Sequence, residues 1–188
     1  MSDNAGFPAW IRSACRELEA IADQVDATIF DQLVEEILGA RRIALHALGR
    51  EGLMMRALAM RLFHLGLPVH VVGDMTTPPL HGGDLLITSA GPGALDTTEA
   101  LIGIVRKSGG RVVLLTAEPQ ARLSGFADRT ILIPAKTMAR PSGDSSPFTM
   151  GSAFEAIQFM VSEYLVARLA ERMGESEEAM RARHTNLE

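Results

Sequence analysis

An α/β fold with a five-stranded parallel sheet, covered by helices on both faces, is what this 188-residue sequence predicts. Two observations carry that reading. The strand-like segments are almost continuous apolar runs, the mark of strands buried on both sides. They alternate with segments of helical period. A third observation points to a site. The loop Ala90-Gly91-Pro92-Gly93-Ala94 follows one strand and precedes a helix. Free backbone N–H groups and the helix dipole converge at such a turn, which is where α/β proteins hold anions.

The elements follow in order. Residues 9–25 place Trp10, Ala14, Leu18, Ile21 and Val25 at helical spacing. Thr28 or Asp31 is suited to cap a second helix carrying Ile29, Leu33, Ile37 and Leu38. The period then changes. Residues 42–48 read as the first strand, ended by Gly49-Arg50-Glu51-Gly52. Residues 53–65 are helical and stop at Gly66, a C′ glycine. Residues 68–72 form the second strand and 84–88 the third. A helix over 96–108 leads to the fourth strand, 111–116. A short helix around 122–127 precedes the fifth, 130–133. Residues 134–147 are loop-like, 150–173 a long helix and 175–183 a helical tail. The expected organisation is one domain: N-terminal helices over 8–39, an α/β core over 40–173 and a tail over 174–188.

Composition limits the function classes. Apolar residues make up 47% and charged residues 22%, ordinary for a globular chain. A net charge of −5 gives no basic footprint for nucleic acid or an anionic membrane. The single cysteine, Cys15, excludes an intrachain disulfide and fits a cytoplasmic location. Its place in an amphipathic helix predicts a core thiol. The first eight residues lack a signal pattern, and no apolar run reaches the ~20 residues that span a bilayer.

Three constellations carry candidate chemistry. The first is the pair of glycine loops, Gly49–Gly52 and Ala90–Ala94, at the carboxyl edge of the sheet, where doubly wound folds place their ligands. Ordinary turn chemistry also explains glycine there. The second is Glu155, about one turn into the long helix behind Gly151, a residue that permits close approach of another backbone. It reads either as a first-turn glutamate favouring the dipole or as a general base at a cleft. The third is histidine. His64 near a helix end suits a dipole partner or a surface residue, and His184 at the chain end suits solvent. No histidine pair has metal-ligand spacing, so no metal is expected.

These residues resemble a known family. Gly49-Arg50-Glu51-Gly52-Leu53, Ala59-Met60-Arg61-Leu62-Phe63-His64-Leu65-Gly66, Val71-Val72-Gly73-Asp74 and Thr76-Thr77-Pro78 are similar to the 6-phospho-3-hexuloisomerase branch of the sugar isomerase (SIS) domain family. So are Met150-Gly151 with Phe154-Glu155, and the closing Arg183-His184-Thr185-Asn186-Leu187-Glu188. The resemblance implies a flavodoxin-like three-layer sandwich. It implies a homotetramer (or dimer) with sites at subunit interfaces, and sugar isomerisation through an enediol without metal or organic cofactor. It makes Glu155 the base, His64 a candidate for proton transfer at the ring oxygen or carbonyl, and His184 a tail histidine entering a neighbouring subunit's site. Arg50, Glu51, Gly49, Gly91, Gly93, Ser89, Thr76, Thr77 and Thr97 become the candidate substrate-binding set.

The departures from the family pattern are specific. Where the first loop of the family reads Gly-Arg-Ser-Gly, the serine is Glu51. Where its second loop reads Ser-Gly-Ser-Gly-Glu-Thr, the chain has Ala90-Gly91-Pro92-Gly93-Ala94-Leu95. Pro92 also removes a backbone donor. A hydrogen bond to a charged group contributes about 1.5–3 kcal/mol, so losing several weakens phosphate binding by orders of magnitude. Three readings follow: an isomerase of a sugar or sugar derivative lacking a phosphate at the usual place, a phosphohexuloisomerase with a rebuilt cradle, and a non-catalytic sugar-binding regulatory module. The retained Glu155, His64, Arg50 and His184 favour an isomerase over the last.

Overall fold

The computed structural model describes residues 6–139 and 146–187. The expectations for residues 1–5, for 140–145 of the predicted loop and for Glu188 of the closing motif lie outside the described residues. Two helices, α1 (Phe7–Ala22) and α2 (Thr28–Leu38), precede β1 (Ile43–Ala47). Then come α3 (Gly49–His64), β2 (Val69–Val71), β3 (Leu85–Ser89), α4 (Asp96–Lys107) and β4 (Arg111–Thr116). A 3-10 turn (Arg122–Phe126), β5 (Arg129–Leu132), α5 (Ser152–Met173) and α6 (Glu177–Ala182) complete the chain.

All strand pairs are parallel, in the order β2-β1-β3-β4-β5. Successive strand residues point to opposite faces, and both faces are buried. Leu45, Leu85 and Ile87 pack under α2, α3 and α5 with Ile37, Leu62, Phe154 and Leu165. Ala44, Leu86 and Leu114 pack under α4 and the 3-10 turn with Ile102 and Leu123. The three-layer sandwich expected from the sequence is therefore present. From β1 the chain steps outward to β2, then returns to the other side of β1 as β3. The order reverses between β1 and β3, so the loops leaving these two strands diverge and open a crevice.

Three local expectations change. Helix α3 begins at Gly49, not at residue 53. Gly49 takes φ +57°, which lets the chain turn abruptly from strand into helix. The Gly-Arg-Glu-Gly segment is therefore a first helical turn, with Arg50 and Glu51 at the positive end of the helix dipole. Helix α2 is entered through Asp26, whose Oδ1 accepts from the Thr28 N–H (2.9 Å) and hydroxyl (2.7 Å), so neither Thr28 nor Asp31 caps it. Cys15 is exposed, because the inward stripe of α1 runs through Ala14 and Ile21 and leaves its neighbour outside. The end of α3 is as expected: the N–H of Gly66 donates to Phe63 and that of Leu67 to Leu62.

Candidate active site

The crevice between β1 and β3 is bridged by one side chain. Ala47 of β1 stands beside Ser89 of β3, and Glu51 lies one helical turn beyond Ala47. Its carboxylate accepts from the Gly91 N–H through both oxygens (3.1 and 3.0 Å) and from the Ser89 hydroxyl at 2.5 Å. The other N–H groups at the start of the loop are engaged elsewhere. Ala90 donates to Leu115, Gly93 donates to Ala90, and Pro92 has no N–H. A carboxylate of the chain itself thus occupies the anion-binding turn. Burial pushes the Glu51 carboxyl above its usual range; the Ser89 and Gly91 hydrogen bonds oppose that, and the Glu155 charge adds to it.

Glu155 reaches the same cleft from the first turn of α5. What fixes it is the entry to that helix. Gly151 takes φ +74°, and a Cβ there would lie 2.1 Å from the Thr137 carbonyl carbon. No other residue lets residues 137–138 cross so near the helix start. The approach is held from behind by α1: the Trp10 indole N–H donates to the Pro147 carbonyl at 3.1 Å, and the ring meets Phe148 edge-on. Phe154, 1% exposed, locks the helix into the core. That leaves the neighbouring Glu155 with a side chain 18% exposed, 3.2 Å from Arg50. Glu155 Oε2 is buried and has no hydrogen-bond partner among the described residues. An acceptor held by a cation yet unused for hydrogen bonding suits proton abstraction from a ligand.

Together these residues line a cavity of about 280 Å³, with Gly49, Arg50, Glu51 and Glu155 beside Leu48, Pro92, Leu95, Thr137, Met138, Met150, Gly151 and Phe154. Of the sequence-derived candidates, Arg50, Glu51, Gly49 and Glu155 therefore meet there. Gly91 and Ser89 stand behind Glu51 as its donors. Gly93 shapes the turn, and Thr97 is exposed on α4 outside that cavity. Thr137 and Met138, from the segment that crosses at Gly151, escaped sequence reasoning. Only the close approach expected of Gly151 signalled that another segment crosses there.

The remaining candidates lie elsewhere in the chain. His64 is at the far end of α3, about 20 Å along the helix axis from Glu51. It is buried, not superficial, and its ring lies 5.0 Å from that of His184. The tail is tied down by Arg183, which donates to the His64 carbonyl (2.8 Å) and pairs with Glu175 (2.7 Å). The two histidines share a separate cavity of about 330 Å³ with Arg61, Glu177 and Arg181. Thr76 and Thr77 line a third with Arg56 and His70, and the Thr77 hydroxyl donates to the Val71 carbonyl at 2.6 Å. Among the described residues no cluster of histidine, cysteine, aspartate or glutamate is arranged to hold a metal ion. No described helix is long and apolar enough to cross a membrane.

A five-stranded parallel sheet with glycine loops at its switch point, and a helix carboxylate facing them, defines a doubly wound ligand-binding domain. The chain belongs to the SIS domain family, whose model matches residues 36–161. Several of its relatives are isomerases. It is 35% identical to the 3-hexulose-6-phosphate isomerase of Mycobacterium gastri, over 92% of this chain and 86% of that protein. It is 33% identical to the 3-hexulose-6-phosphate isomerase of Bacillus subtilis, over 95% and 97%. Among solved structures it matches a protein from Methanococcus jannaschii, inferred to be a 3-hexulose-6-phosphate isomerase, at a TM-score of 0.83. The identity there is 25%, over 95% of this chain and 98% of that one.

Proposed function

We propose that this protein is a ketose isomerase that works through an enediol, with Glu155 as base, on a substrate that carries no phosphate in the Gly91 loop. The observation that carries the proposal is the Glu51 carboxylate, which already takes the Gly91 N–H and the Ser89 hydroxyl at the start of the loop. A phosphate arriving there faces a like charge and finds the N–H groups of Ala90, Gly91 and Gly93 already engaged. Arg50 supports the catalytic part: it pairs with Glu155, and a guanidinium there stabilises the negative charge of an enediolate. Four of its relatives are 3-hexulose-6-phosphate isomerases, so the reaction type carries over while the anchoring group changes. His64, at the far end of α3, and His184 beside it lie too far from Glu155 of the same chain to share one hexose. We place them in the site of a second copy, in a homo-oligomer whose clefts lie at subunit interfaces.

The test is hydrogen exchange. With unphosphorylated ketoses in deuterated water, the wild-type protein incorporates carbon-bound deuterium. Glu155→Gln slows incorporation by about 10²–10⁴, the range for losing a positioned base. Wild-type incorporation that survives Glu155→Gln undiminished removes Glu155 as the base, and no incorporation by wild type with any ketose removes the isomerase.

A further inference from the structure

The charge of the cleft does not balance within the chain. Arg50, Glu51 and Glu155 line it, and every other lining residue among those described is uncharged, so negative charge exceeds positive by one. Arg50 and Glu51 are neighbours in sequence, but successive helix residues point about 100° apart and do not face each other. The Arg50 guanidinium turns to Glu155, 3.2 Å away. Among the described residues Glu51 has no cationic partner; its partners are the Gly91 N–H and the Ser89 hydroxyl, both uncharged.

A carboxylate offers about four lone-pair sites. The Gly91 N–H takes one on each oxygen and the Ser89 hydroxyl takes another on Oε2, which leaves Oε1 able to accept once more. The neutral donors do not offset the cost of holding the charge, since burial, with the Glu155 charge beside it, still pushes the Glu51 carboxyl upward. A charge withdrawn from water is stable when a counterion meets it. A sugar hydroxyl at Oε1 would supply a hydrogen bond; an ammonium supplies the missing charge as well.

We infer that the cleft takes a hydroxy ketone with an ammonium group on the chain beyond its reacting carbons, and that the Glu51 carboxylate is the counterion that selects it. The inference rests on this cleft being the substrate site proposed above. The reacting carbons meet Glu155 and Arg50, and the ammonium N–H donates to Glu51 Oε1. Glu51 thereby converts an anion-binding turn into a cation-binding one. The volume of about 280 Å³ is near the lower end of small-molecule pockets, about 300 Å³, which suits a six-carbon chain with a small amine.

Calorimetry on the full chain at neutral pH tests this with four probes: fructose 6-phosphate, fructose, 6-deoxy-6-dimethylaminofructose and its uncharged carbon isostere, 6-deoxy-6-isopropylfructose. The tertiary amine is protonated there and offers one N–H. It should bind at least tenfold tighter than the isostere, the lower end for a hydrogen bond to a charged group, and fructose 6-phosphate should bind weakest. Glu51→Gln keeps the shape and removes the charge, and should cut the advantage of the amine to under threefold; should the variant fail to fold, the wild-type series decides alone. An advantage that survives Glu51→Gln undiminished overturns the inference. So does a wild-type advantage under tenfold, no binding included, the result expected if a histidine of the second copy already serves Glu51 as counterion. Deuterium exchange reads the isomerase separately. An amine that binds tightly but does not exchange supports this ligand class and sinks the isomerase, whereas ketoses that exchange with no advantage for the amine keep the isomerase and sink this inference.

Discussion

Replacing Glu51 by serine should turn the Gly91 loop back into a phosphate site. The wild-type carboxylate accepts from the Gly91 N–H at 3.0 and 3.1 Å and from the Ser89 hydroxyl at 2.5 Å. Glu51→Ser releases both donors and removes the charge that repels an anion. Two hydrogen bonds to a charged group contribute about 1.5–3 kcal/mol each, so their lower bounds give about 3 kcal/mol. That corresponds to roughly a hundredfold in affinity. The full gain of a hydroxyl-rich loop is out of reach, because Pro92 still offers no N–H. Titration calorimetry with fructose 6-phosphate, wild type against Glu51→Ser, measures the difference. Glu51→Gln is the control: it removes the charge but leaves a side chain in the loop, and its gain should be about tenfold smaller. A folded Glu51→Ser protein that binds fructose 6-phosphate within threefold of wild type refutes the reasoning, since Glu51 would then not be what keeps a phosphate out.

Three further outcomes follow from the same structure. The Glu51 carboxyl is raised above its unfolded value, chiefly by burial. Its contribution to stability is fully present below the unfolded value of about 4.3 and is lost as pH rises through the folded one. Urea unfolding between pH 4 and 7 should therefore show wild type losing stability relative to Glu51→Gln as pH rises; the opposite slope contradicts the burial argument. Gly151→Ala puts a Cβ where the Thr137 backbone lies and forces a left-handed residue, a strain of about 1–3 kcal/mol. It should lower Tm and activity together, and a variant with both unchanged would show that the crossing of residues 137–138 does not hold Glu155. Arg183→Ala removes the clamp on the His64 carbonyl and Glu175. Limited proteolysis should then cut the tail after Met173 faster than in wild type, and equal rates would show that other contacts hold it.

The strands were legible because burial on both faces leaves almost uninterrupted apolar sequence, as in residues 85–87 and 112–115. Helix ends with a local rule, such as Gly66, were legible too. The start of α3 was not: Gly49–Gly52 has turn composition, and only tertiary packing shows that it is already helical. That one difference places Glu51 on the Gly91 loop, a contact the turn composition of Gly49–Gly52 did not signal. The partners of Glu155 were half legible. Arg50 came with the family motif, whereas Thr137 and Met138 arrive from a segment with no signature of its own. The exposure of Cys15 shows the limit of periodicity, since one residue of phase decides between core and solvent. The separation of His64 and His184 from Glu155 follows from helix length once α3 is known to run from Gly49 to His64.

A phosphate replaced at a retained isomerase site shows itself in internal competition between two sugars. Fructose and fructose 6-phosphate, mixed in equal amounts with the wild-type protein in deuterated water, compete for one cleft. The ratio of deuterium entering the two sugars is the ratio of their kcat/KM values. Fructose should take up at least tenfold more label. Faster labelling of fructose 6-phosphate would contradict it.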